Sequence, residues 1–187
     1  MLKQWIARLS CIIGTSLSAE SPLPFDVGGD FRLVDHKGAV RTQADPDGQP
    51  QLLFFGYANC PGICTAAMPM MADITDDISD RGVKLRPVMI TIDPARDTVD
   101  NMGEPLAQIH DDFVGLTGSD GALSQAYDAF SVEHELAYED PEYGPVYAHG
   151  SLIYLLNGAG DVLTIIPPVL DAQSASNIVW TYVKPST

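Results

Sequence analysis

Two periods of apolar and polar positions run along this chain. Leu52-Leu53-Phe54-Phe55-Gly56-Tyr57 is a continuous apolar run bounded by turn-rich sequence. Such a run predicts a central strand covered on both faces. Lys84–Asp93 (KLRPVMITID) reads as a second buried strand. Between them, Ala67, Met71, Ile74 and Ile78 recur at helical spacing over Thr65–Asp80, with Asp73, Asp76, Asp77 and Asp80 mostly opposite. Pro69 inside this pattern predicts a kink, or the point where the regular helix begins, and Gly82 ends it. Upstream, Phe31, Leu33 and Val40 flank Asp35-His36-Lys37-Gly38 as a hairpin. Downstream, Pro105–Phe113 reads as a short helix and Phe113–Leu116 as a short strand. Ser119 or Asp120 caps a third helix with Leu123, Ala126, Tyr127 and Phe130 on one side. Ser131–Gly150 is acidic and aromatic with no clear period, which predicts an inserted loop or hairpin. Ser151–Leu156 and Asp161–Ile166 flank Asn157-Gly158-Ala159-Gly160 as a further hairpin. Asp171–Lys184 closes the chain as an amphipathic helix with Ile178, Val179 and Tyr182 on its apolar side.

This order of strands and helices is that of a thioredoxin-like α/β fold, a central mixed sheet with helices on both faces. The 187 residues suffice for one domain with a full core. A formal net charge of −15 argues against nucleic acid as a partner, because such a surface repels phosphate backbones. No apolar run reaches the ~20 residues that span a bilayer. Lys3 and Arg8, a short apolar stretch from Leu9 to Leu17, and small residues at Ser16, Ser18 and Ala19 make residues 1–19 read as a secretory signal peptide. Residues 20–187 then form the mature domain, placed in the periplasm or at the outer face of a membrane.

Removing residues 1–19 leaves Cys60 and Cys64 as the remaining cysteines. A bridge closing so small a loop would constrain the unfolded chain little, so the pair points to chemistry more than to stapling. Asn59-Cys60-Pro61-Gly62-Ile63-Cys64 lies where the first buried strand ends and a helix begins. Helix N-termini stabilise thiolates, which suits disulfide exchange or a soft metal. The C-x-x-x-C spacing is wider than a thioredoxin-type redox pair and suits two ligands on one ion. A redox-inert pair stays open as a third reading. Copper would want an imidazole as well. His36, His110 and His134 read as exposed side chains. His149 directly precedes the strand Ser151–Leu156, a place that packs near the cysteine helix in a thioredoxin-like fold.

The segments DFRLVDHKGAV, LLFFGYANCPGIC, MITIDPARDT and FVGLTG, and the histidine before SLIYLLNGAGDVL, resemble the Sco/SenC family of copper-binding proteins that assemble cytochrome c oxidase. The resemblance runs from Phe31 to Leu163. It implies one copper, Cu(I) or Cu(II), held by Cys60, Cys64 and His149. It also implies a metallochaperone that delivers copper to the dinuclear centre of oxidase subunit II, exchanges it with another donor or acceptor protein, or first reduces that subunit's cysteines. The competing expectation is a thiol–disulfide oxidoreductase that uses Cys60 and Cys64 without obligatory copper.

The chain departs from the family where an Asp is common inside the cysteine loop, a Pro after the second cysteine, and an Asp before the histidine. Gly62, Thr65 and Ala148 stand there. Two carboxylates close to the expected site are therefore missing. Asp93 and Asp97 match the family, and Asp93 either orients the site or caps a turn. Met68, Met70 and Met71 lie near the cysteines but read as core. The acidic run Glu133–Glu142 reads as a solvated face that could steer a basic partner.

Overall fold

The computed structural model describes residue 23, residues 26–58 and residues 64–185, with positions 64 and 65 placed as backbone alone. The signal segment, Cys60 and Gly62 lie outside the described residues.

Seven strands form one mixed sheet in the order β2-β1-β5-β4-β3-β8-β9. The centre is β3 (Gln51–Gly56), parallel to β4 (Arg86–Thr91) on one side and antiparallel to β8 (Ile153–Leu156) on the other. β5 (Val114–Thr117) continues the parallel run beside β4. The antiparallel pair β1 (Arg32–Asp35) and β2 (Val40–Thr42) closes one edge, and β9 (Val162–Ile166) the other. Every residue of β3 is buried, as expected of a strand covered on both faces. Helices flank this sheet in a thioredoxin-like α/β arrangement.

α1 (Cys64–Asp80) is the crossover between β3 and β4. Its residues Ala67, Met71, Ile74 and Ile78 are buried completely, so the period seen in the sequence is the face that meets the sheet. The helix passes through Pro69 without interruption. Pro69 carries no N–H, so the Thr65 carbonyl loses its helical partner, and the exposed side of the helix tolerates this. Met68, Met70 and Met71 are buried core residues.

α2 (Gly103–Ile109) is shorter than the Pro105–Phe113 pattern predicts. His110 is extended, with φ −164° and ψ 136°, and Phe113 turns inward as the lead into β5. α3 (Asp120–Ala129) is capped by Ser119, whose hydroxyl accepts from the Ala122 amide. α4 (Ala172–Val183) is capped by Asp171 and packs on α1. Its buried face carries Ala175, Ser176 and Val179, not Tyr182, which is 46% exposed. At 100° per residue, Tyr182 lies about 65° to one side of the centre of Ala175, Ser176 and Val179.

The aperiodic stretch after α3 is a hairpin. β6 (His134–Asp140) pairs antiparallel with β7 (Gly144–His149) as a separate two-stranded sheet. The end of α3 launches it. The Ser131 amide donates to Asp128 O and the Val132 amide to Tyr127 O, with Ser131 left-handed at φ 54°. That is a helix C-cap in which serine takes the place glycine usually fills.

Candidate metal centre

Ligands of open α/β sheets sit beyond the carboxyl ends of parallel strands, near the point where strand direction changes. Here that point is the end of β3, between parallel β4 and antiparallel β8. The cysteine segment leaves from this end, since Tyr57 and Ala58 follow β3 and Cys64 opens α1. A chain position at a helix start meets unpaired N–H groups and the positive end of the helix dipole.

β7 delivers His149 to the same end. Its ring centroid lies 5.9 Å from that of Phe54 and 6.2 Å from that of Tyr57, both edge-on. His149 Nδ1 is 2.8 Å from the Gly150 carbonyl oxygen. A carbonyl only accepts, so Nδ1 is the donor in this contact. Metal-ligating imidazoles are commonly oriented in this way, by one ring N–H held on a backbone carbonyl.

The hairpin is tied down by one arginine. Arg96 forms an ion pair through Nε with Asp93, which is buried. Its Nη1 donates to Tyr143 O at 2.5 Å and its Nη2 to Pro145 O at 2.7 Å. Its guanidinium stands 5.4 Å from the Tyr57 ring centroid. Gly144, between the two carbonyls, has φ +73°, and a Cβ there would meet Arg96 Nη1 at 3.0 Å. Close approach and left-handed backbone both require glycine at this position. The Tyr147 amide adds a 3.4 Å bond to the Tyr57 hydroxyl.

Asp93 is therefore more than a turn cap. It anchors the arginine that holds the hairpin carrying His149. Asp97 holds the other side: its Oδ2 accepts from the Ala58 amide at 3.0 Å and from the Thr91 hydroxyl at 2.7 Å. Ala58 is the last described residue before the cysteine segment. Burial raises the Asp97 carboxyl above its ordinary pKa, against the two hydrogen bonds that favour its ionised form.

The remaining histidines separate clearly. His36 is half-buried, and its Nδ1 accepts from the Gly115 amide at 3.2 Å. His110 is paired with Asp76 at 3.2 Å. Both lie away from the β3 end, and neither is the freely exposed side chain that the sequence predicts. His134 is exposed, as the sequence predicts, but its place beside His149 is not legible there. It faces His149 directly across β6 and β7, and its ring lies 4.8 Å from that of Tyr127. Partial desolvation, and then the proximity of His149, lower its pKa. Strict alternation fails in β6 because the register shifts between Leu136 and Tyr138, so spacing alone could not pair the two.

Ser131, Glu133, His134, Glu135, Ala148, His149 and Gly150 line an open cleft of about 660 Å³. Among the described residues, no three His, Cys, Asp or Glu side chains converge to hold a metal ion.

The SCO1/SenC family model matches residues 19–184. SCO2-like protein RC0895 of Rickettsia conorii is 34% identical over 140 residues, covering 73% of this chain and 67% of that protein. The human mitochondrial protein SCO2 homolog is 35% identical over 134 residues, covering 71% of this chain and 50% of that protein. Among solved structures, copper-bound ScoI of Arabidopsis thaliana superimposes with a TM-score of 0.77 at 27% identity, covering 83% of this chain and 96% of that one. Yeast Sco1 with copper bound gives a TM-score of 0.77 at 26% identity, covering 87% and 91%.

Proposed function

This chain belongs to the SCO1/SenC family, and from that membership we propose that it is a copper metallochaperone for assembly of the dinuclear copper centre of cytochrome c oxidase. The cargo is one copper ion, taken by Cys60, Cys64 and His149. Subunit II of the oxidase, or another copper donor or acceptor, is the exchange partner. Residues 1–19 act as an export signal, and residues 20–187 work in the periplasm or at the outer face of a membrane. No helix among the described residues is long and apolar enough to cross a membrane.

The observation that carries this reading is the position of His149, set against Phe54 and Tyr57 at the strand end from which the cysteine segment departs. Two thiolates and one imidazole form a soft three-ligand set suited to Cu(I), and Cu(II) would add a further ligand. Metal release then proceeds by ligand exchange with a thiol-bearing acceptor. The role is carriage, with no substrate turnover.

A second reading, a thiol–disulfide oxidoreductase, is favoured by the start of α1 at Cys64. That location lowers a thiol's pKa whether or not metal binds. Anaerobic copper titration separates the two. The reduced protein is expected to bind one copper per chain, and the Cys60–Cys64 disulfide form none, because only thiolates ligate. Equal binding by both forms would refute the cysteine ligands.

A further inference from the structure

His134 and His149 are directly opposed in the β6–β7 register. Directly opposed residues of an antiparallel pair project to one face, with Cβ atoms about 4.5–5.5 Å apart. The two rings share that face with Tyr147, whose centroid is 6.5 Å from that of His134. Both histidines line the same open cleft. Each ring is seated by an aromatic neighbour on the main fold, His134 by Tyr127 at 4.8 Å and His149 by Phe54 at 5.9 Å. The scaffold beneath is rigid, since Tyr127 is itself fixed by donating its hydroxyl to Thr91 O at 2.7 Å. Two imidazoles therefore stand on one face of a ribbon held by Arg96, at the rim of one cleft.

We propose that His134 is a second imidazole ligand, recruited when the site holds Cu(II). The inference rests on the reading that copper is the cargo, and it assigns the ligand which that reading leaves open for the oxidised ion. Cu(II) prefers a four-ligand tetragonal set rich in nitrogen, whereas Cu(I) is satisfied by few soft ligands. Two thiolates with His149 serve Cu(I). Adding His134 across the ribbon completes a two-sulfur, two-nitrogen set for Cu(II). His134 thereby sets which oxidation state the site retains.

The test is pulsed EPR on full-length reduced protein loaded anaerobically with Cu(II), with the thiolate-to-copper absorption read on the same sample. The unaltered protein is expected to show two coupled imidazoles, and His134→Ala one. The variant's Cu(II) affinity should fall about tenfold or more, and its Cu(I) affinity by less than about threefold. If His134→Ala fails to fold, His134→Phe keeps an aromatic ring against Tyr127 and carries the same expectation. A thiolate band with a single imidazole in the unaltered protein overturns the role of His134 and leaves the copper reading standing. Two imidazoles without a thiolate band support the histidine pair and overturn the cysteine ligands.

Discussion

The two ends of β3 and β4 each bury aspartates, and they solve the electrostatic problem in opposite ways. At the N-terminal end, Asp45 is fully buried and over-satisfied. It accepts from the Asp47 and Gln49 amides at 2.8 and 3.1 Å, from Arg41 Nη2 at 3.3 Å, and from Arg86 Nε. Arg41 also reaches Asp35 at 3.7 Å, and Arg86 reaches Asp47 at 2.7 Å. At the C-terminal end, Asp93 and Asp97 share one arginine. Asp93 takes it, and Asp97 is left with a hydroxyl and an amide. The first arrangement neutralises charge and locks turns. The second turns Arg96 outward to a hairpin, and leaves a carboxyl with a raised pKa under the chain that leads to the cysteines. Similar residues serve stability at one end and site geometry at the other.

Substitutions at the two ends should therefore separate stability from metal binding. Asp45→Ala is expected to have the largest effect on folding. It leaves two mostly buried guanidiniums without their shared partner, a loss of about 3–5 kcal/mol by the usual cost of breaking a buried pair. Urea denaturation measures this, and copper binding by the molecules that remain folded should be unchanged. A drop in copper affinity there would mean that the two ends are coupled through the strands.

Arg96→Ala should do the reverse. The hairpin loses its ties to Asp93, Tyr143 O and Pro145 O, so amide exchange across β6 and β7 should accelerate. Copper affinity should fall by about 10- to 100-fold, as when a group supporting a ligand is removed. Global stability should change less than for Asp45→Ala. Unchanged exchange would show that ring contacts and the Tyr147–Tyr57 bond hold the hairpin alone.

Asp97→Asn is the subtlest probe. The raised pKa means that the folded state holds the Asp97 proton more tightly than the unfolded chain does. The contribution of Asp97 to stability is then fully present below the unfolded pKa and is lost as pH rises through the folded one. The stability of the unaltered protein relative to Asp97→Asn should accordingly decline with rising pH across the carboxylate range. Denaturation midpoints over a pH series check the sign. A difference that grows with pH would show that the hydrogen bonds from Thr91 and Ala58 outweigh burial at this carboxyl.

The same contrast explains what the sequence made legible. β3, β4 and α1 are dominated by one periodic face each, so Leu52–Tyr57 and the Ala67–Ile78 stripe announced their burial. The final helix misled because Tyr182 is apolar in body yet lies on the flank of the buried face. The β6–β7 hairpin lacked a readable period, since most of its residues are exposed and its register shifts after Leu136. Cys60, Cys64 and His149 stood out by chemistry and by their places between elements. Arg96 and His134 did not, because their partners lie far away in sequence and only the packed fold brings them near.

The central claim is that His149 completes a copper site with Cys60 and Cys64. It is tested most directly by measuring copper affinity and thiol–disulfide exchange rate on one His149→Ala protein. The account predicts a fall in copper affinity of about 100-fold or more, on the scale where about 1.4 kcal/mol is a factor of ten. The exchange rate should change little, because the thiols and the start of α1 remain. A folded His149→Ala protein with unchanged copper affinity would contradict the ligand assignment and leave the cysteine pair as a redox couple.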